Sequence, residues 1–215
     1  MKQRDAQDGR RFRHVFLDAE GTIYVPKHGR SRWEFWANPT PEAALEFFEL
    51  DKGVREALVQ LRERVDTLCI VSKNPKEILD ALLEKFGIRH LFDDILLNEN
   101  KGKLIAHYLY MKGFRREESV MVGDMPTLDL FPVRRLGIES LLVTRSYNSW
   151  AKAERISGVF ELPSWLKIAD LADKMGDERP YIASLDDFQT AEALKRTHRQ
   201  AAQTSTKRLI AVQGT

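Results

Sequence analysis

The sequence predicts an α/β protein, a three-layer doubly wound parallel sheet with a small flap or cap inserted near its start. Three observations predict it. Short apolar runs recur at residues 14–18, 67–72, 94–98, 119–124, 139–145 and 158–162. They are near-continuous rather than alternating, as strands covered on both faces should be. Amphipathic helical stretches separate most of them, with glycine or proline at the boundaries.

Taken in order, the first run ends in Asp18-Ala19-Glu20-Gly21-Thr22. Residues 24–50 then break the alternation with Trp33, Phe35, Trp36, Pro39 and Pro41. That stretch is too short for an independent domain and reads as a flap over one end of the sheet. Val54, Ala57, Leu58 and Leu61 recur at helical spacing. After the run ending in Ser72, Asn74 and Pro75 read as an N-cap and first-turn proline, and Gly87 as the stop. A helix is expected from Lys101 or Lys103 to Lys112, ended by Gly113, and another after Asp124, ended by Gly137. Beyond residue 175, Ser184 with Asp187 starts an amphipathic helix, and residues 201–215 form a polar tail. The expected organisation is a tail over 1–13, an α/β domain over 14–178 with its insert at 24–50, and a C-terminal helix and tail over 179–215.

Composition narrows the classes. The 215 residues are 43% hydrophobic and 31% charged, with a net charge of +2. So balanced a chain has no global field toward nucleic acid or membrane, and no run reaches the length of a membrane span. A single cysteine, Cys69, rules out an intramolecular disulfide framework, and the polar start of the chain lacks the apolar stretch of a signal peptide. A cytoplasmic setting is expected. The five histidines have no metal-ligand spacing, and no phosphate-binding glycine loop of the nucleotide folds is present.

Four elements carry chemistry. Asp18 and Glu20 end a buried strand at the sheet edge where ligands bind in open α/β folds. Two carboxylates there suit a nucleophile with a general acid/base, or a cation site; an acidic turn is the plain alternative. Asp124 and Asp129 follow another buried strand, and they suit Mg²⁺, although Asp124 or Thr127 would also serve as a helix N-cap. Ser72 at a strand end and Lys101 at a helix start can hold an anion, and each alone also reads as an ordinary turn or surface residue.

In order and spacing these elements resemble the haloacid dehalogenase superfamily. The carrying residues are Asp18-Ala19-Glu20-Gly21-Thr22, Ser72, Lys101 and Gly123-Asp124 with Asp129, and the resemblance spans residues 15–145. Gly113 and Gly137 fall where that family places glycines, which favours Lys101 over Lys103 and Asp129 as the second acid. The resemblance implies a magnesium-dependent phosphomonoester hydrolase working through an aspartyl-phosphate on Asp18. Mg²⁺ is then held by Asp18, the backbone carbonyl of Glu20 and Asp124, with Asp129 supporting. Ser72 and loop N–H groups hold the phosphoryl oxygens, and Lys101 neutralises charge.

The family's usual phosphatase has Asp at the position of Glu20. Glu keeps the acid/base chemistry, but its extra methylene can displace the proton by about an ångström, a shift worth ~10²-fold in rate. Asp-x-Glu-Gly-Thr also resembles the first motif of the enolase-phosphatases. The insert is similar in length to that of the small-cap magnesium-dependent phosphatase group, whose open sites admit small or macromolecular phosphate esters or a lid from a second copy of the chain. Three other readings compete. A phosphoryl transferase would use the same aspartate. A receiver domain fits poorly, because Gly-Asp stands where a receiver wants lysine. A non-catalytic binding protein has no need of the full acid, serine and lysine set.

Overall fold

Alternate side chains of the apolar runs from 14–18 to 139–145 enter two different cores, one on either side of a single sheet. The computed structural model describes residues 12–27, 30–143, 145, 160–162 and 165. In chain order it contains β1 (His14–Leu17), β2 (Tyr24–Pro26), α1 (Arg32–Trp36), α2 (Pro41–Phe47), β3 (Phe48–Leu50), α3 (Val54–Arg64), β4 (Thr67–Ser72) and α4 (Lys76–Lys85). There follow β5 (Asp94–Leu97), α5 (Lys101–Lys112), β6 (Ser119–Gly123), a π-turn over residues 126–130, α6 (Phe131–Arg134), β7 (Glu139–Val143) and β8 (Phe160–Leu162).

The main sheet has the order β5-β4-β1-β6-β7-β8, and every pairing is parallel. Val15 and Leu17 of β1, Leu68 and Ile70 of β4, and Val120 and Val122 of β6 face one core with α3 and α4. Phe16, Cys69, Val71 and Met121 face the other, with Ile105 and Leu109 of α5 and Val133 of α6. Strands buried on both faces explain why the runs are continuously apolar. Leu17 is fully buried directly before Asp18, so truncating it to alanine would cost about 2–5 kcal/mol.

The chain winds from β1 out through β4 to β5, then returns to the other side of β1 with β6. The winding reverses between β1 and β6, and such switch points open a crevice at the carboxyl ends of the strands. Asp18 and Asp124 follow those two strands.

The insert forms a two-stranded antiparallel ribbon, β2 with β3, carrying α1 and α2 between its strands. Phe35, Phe47 and Phe48 pack edge-on or tilted on one another, at 4.9–5.6 Å between ring centres, and they join the α3/α4 core. Trp33 stays 75% exposed.

Two expectations need correction. Asn74 does not cap a helix: α4 starts one residue later, with Pro75 at its N-cap, and the Asn74 amide instead donates to the Tyr24 hydroxyl at 2.7 Å. The helical segment expected after Asp124 and stopped by Gly137 does form, but it opens as a π-turn and only Phe131–Arg134 is α-helical. Neither Asp124 nor Thr127 is an N-cap there, since Met125 takes that position. Gly87, Gly113 and Gly137 all adopt positive φ just past their helical segments, as helix stops do. The helix expected from Ser184, the C-terminal tail and residues 1–11 lie outside the described residues; Phe12 and Arg13, expected in the N-terminal tail, instead join the domain, Phe12 in the core and Arg13 paired with Asp66.

Candidate active site

Register brings the chemistry together. Leu17 pairs with Ile70 of β4 on one side and Val122 of β6 on the other, and the Asp18 N–H extends the second ladder to the Val122 carbonyl at 2.9 Å. Asp18 therefore stands level with the ends of both neighbours, which carry Ser72 and Asp124. Past Asp18 the chain turns tightly. Gly21 takes φ +82°, where a side chain would be strained, and its N–H donates to the Tyr24 carbonyl at 2.7 Å.

Asp124 lies between two donors. Thr22 Oγ1 donates to its Oδ1 at 3.4 Å and Arg32 to its Oδ2 at 3.3 Å. The π-turn that follows folds Asp129 back under the strand end, where its Oδ2 accepts the Met125 N–H at 2.8 Å. Single-turn π insertions recur at functional sites because they re-aim a side chain. One oxygen from each of Asp18, Asp124 and Asp129 lies within 4.8 Å of the others, and all three residues are buried. A buried all-carboxylate set suits a hard divalent cation such as Mg²⁺. Glu20's side chain stands outside that set.

Lys101, the first residue of α5, reaches across to the same acids. Its Nζ lies 2.5 Å from Asp18 Oδ1 and 2.6 Å from Asp129 Oδ1. Burial pushes both Asp18 and Asp129 up to about 6, against the pull of Lys101. Despite its own burial, Lys101 is driven well above the ordinary lysine range by the two carboxylates and stays charged. Gly102 makes the approach possible: a Cβ there would lie 3.0 Å from the Pro132 side chain and carbonyl. The helix start thus sits directly on α6.

Ser72 is buried at its strand end, and its hydroxyl accepts the Asn74 N–H at 3.1 Å. Glu20 is held from the flap. Trp36 Nε1 donates to Glu20 Oε2 at 2.9 Å, and Arg32 Nε lies 3.6 Å from Oε1. Burial raises the Glu20 carboxyl above the usual range, while Arg32 and Trp36 pull it back.

The expected set of Asp18, Glu20, Ser72, Lys101, Asp124 and Asp129 thus meets at one edge of the sheet. Sequence reasoning did not assign Arg32, Trp36, Tyr24, Asn74 or Arg145 to the site. Arg145 Nε donates to the Gly21 carbonyl at 2.7 Å, and its NH2 group meets the Thr22 carbonyl and Asp51. None of these residues has a local pattern that marks it; only Trp36, as an aromatic in an unusual insert, offered a signal.

The description "Haloacid dehalogenase-like hydrolase" fits residues 22–143 as a family model. The chain belongs to that family. Within this haloacid dehalogenase-like framework it is 30% identical over 121 residues to a phosphoglycolate phosphatase of Synechococcus elongatus, covering 55% of this chain and 54% of that protein. It is 29% identical over 102 residues to a phosphoglycolate phosphatase of Haemophilus influenzae, covering 45% of each. The chain therefore spans about half the length of the curated relatives it matches. Among solved structures, a HAD phosphatase from Thermococcus onnurineus aligns with a TM-score of 0.59 at 17% identity, over 78% of this chain and 100% of that one. The L-2-haloacid dehalogenase of Xanthobacter autotrophicus aligns with a TM-score of 0.56 at 14% identity, over 77% and 100%. One haloacid dehalogenase fold carries both chemistries, so function must be argued from the site.

Proposed function

We propose that the protein is a magnesium-dependent phosphomonoester hydrolase that works through an aspartyl-phosphate on Asp18. The observation that carries this reading is the placement of Asp18, beside Lys101 and within one carboxylate cluster with Asp124 and Asp129. A dehalogenase, whose substrate carries no phosphate, has no need of a second and third buried acid to hold a cation.

Asp18, Asp124 and the Glu20 carbonyl would hold Mg²⁺, with Asp129 supporting. When bound, the ion screens the charge between a carboxylate nucleophile and an anionic phosphoryl group. Asp18 attacks phosphorus, the bond to the leaving oxygen breaks, and that oxygen takes a proton from the Glu20 carboxyl. Water then attacks the acyl-phosphate phosphorus and gives its proton to Glu20. The bond to Asp18 breaks, releasing inorganic phosphate. Ser72 and the loop N–H groups position the phosphoryl oxygens, and Lys101 offsets their charge. The short insert favours a small-cap, comparatively open site, and the curated relatives point to small phosphorylated acids as the first substrates to try.

The test is hydrolysis of p-nitrophenyl phosphate with and without Mg²⁺, by the natural protein and by Asp18→Asn. Metal-requiring turnover that vanishes in the variant is expected. Turnover that persists in Asp18→Asn would refute the nucleophile.

A further inference from the structure

We propose that Trp36, on the flap, is a positioning residue that aims the Glu20 carboxyl at the leaving oxygen. This inference rests on the hydrolase reading above. Glu20 has one more rotatable bond than the aspartate usual at its position, so an unrestrained carboxyl would wander and waste proton transfers. The flap removes that freedom. Trp36 and Arg32 are four residues apart on α1 and so project from the same helix face. Both converge on Glu20, with the indole N–H bonded to Oε2 at 2.9 Å and the guanidinium 3.6 Å from Oε1.

The two oxygens differ. Oε2 is tied to the indole at 2.9 Å, whereas Oε1 is buried and meets the Arg32 guanidinium at 3.6 Å, beyond hydrogen-bond length. A buried carboxylate oxygen held by so long a contact is costly to maintain for stability alone. It is also the oxygen that the indole leaves for proton exchange with a bound substrate.

The indole is itself fixed. Its ring packs edge-on against Phe35 at 4.9 Å, and Phe35 is buried among Phe47 and Phe48. The N-terminus of α1 is closed by reciprocal bonds between Ser31 and Glu34. A continuous path therefore runs from the flap core through Trp36 to the acid. The insert is part of the machinery that moves the proton.

The experiment compares Trp36→Phe with the natural protein on two substrates. The phenyl ring keeps part of the contact with Phe35 and loses the donor. p-Nitrophenolate leaves without needing a proton, whereas a primary alkyl oxygen needs one. We expect kcat/KM for glycerol phosphate to fall about tenfold or more, and that for p-nitrophenyl phosphate to change by less than about threefold. Trp36→Phe should add nothing in a Glu20→Gln background, where the proton donor is already gone. An equal fall on both substrates, or an undiminished effect in that background, would show a merely structural tryptophan and overturn the proposal. A second measurement does not depend on turnover. The indole N–H resonance of Trp36, assigned by its loss in Trp36→Phe, should move upfield in Glu20→Ala; a resonance that stays put means the bond is not formed, and the proposal fails. A natural protein inactive on both phosphates would defeat the hydrolase reading, and the catalytic meaning of the contact with it.

Discussion

Gly123 and Asp129 occupy the same space: a Cβ on Gly123 would lie 2.5 Å from that of Asp129 and 2.7 Å from its Oδ2. Only a residue without a side chain lets the π-turn fold Asp129 back beneath the strand end. Gly123→Ala should therefore displace Asp129 from Lys101 and destabilise the fold by about 1–3 kcal/mol. Urea unfolding gives the first quantity. The second reading is the Mg²⁺-dependent rise in melting temperature, which should shrink. An alanine variant with native stability and native Mg²⁺ response would contradict this.

Lys101→Met should be strongly destabilising at neutral pH. It leaves two buried carboxylates without their shared cation, and breaking such a pair costs about 3–5 kcal/mol. The loss should lessen toward pH 5, as Asp18 and Asp129 take up protons. Denaturant melts at pH 5 and pH 8 in chelator test it; equal losses at both would show that the charge is not what Lys101 supplies.

Asp129 also sets a pH dependence. Its carboxyl, like that of Asp18, rises from the ordinary 3.8 to about 6 on burial. The folded state therefore binds more protons than the unfolded one between about pH 4 and 6. The resulting stability is present below about pH 4 and lost as pH rises through about 6. In chelator, Asp129→Asn should accordingly gain stability relative to the natural protein as pH rises across that window. A stability difference that is flat with pH would place Asp129 in an ordinary carboxylate environment.

Mg²⁺ should raise the melting temperature of the natural protein in a saturable way, since a ligand that binds only the folded state stabilises it by mass action. Asp124→Asn should abolish most of that rise, because Asp124 supplies a carboxylate of the cluster. An unchanged Mg²⁺ titration would move the cation elsewhere.

Arg145 ties the loop after Asp18 to Asp51. Replacing it with methionine keeps most of the stem packing and strands buried acceptors, so a loss of about 1–3 kcal/mol is expected. Mg²⁺ affinity should fall with it as the Gly21–Thr22 turn loosens. Isothermal titration of Mg²⁺ into the folded variant checks the second effect, and native affinity would show that the clamp is not needed for the turn.

The amino-acid sequence by itself determined the strands, because burial on both faces demands continuous apolar runs, and β1, β4, β5, β6 and β7 lie within the runs that predict them. It also determined the acids, serine and lysine at the strand and helix ends, since their order and spacing are local along the chain. The glycine stops were legible for the same reason, as positive φ leaves few other choices. Only the tertiary structure decided what surrounds Glu20 and how Asp129 reaches the site. Trp36 and Arg32 meet Glu20 through a flap whose path depends on packing of Phe35, Phe47 and Phe48, and no periodicity encodes that meeting. The Asn74 side chain left the cap position for Tyr24, fifty residues away. The π-turn brings Asp129 against Gly123, where a Cβ would find no room, and that close approach is a tertiary contact. Local patterns report what the backbone does next; the contacts that aim a proton are made between residues distant in sequence.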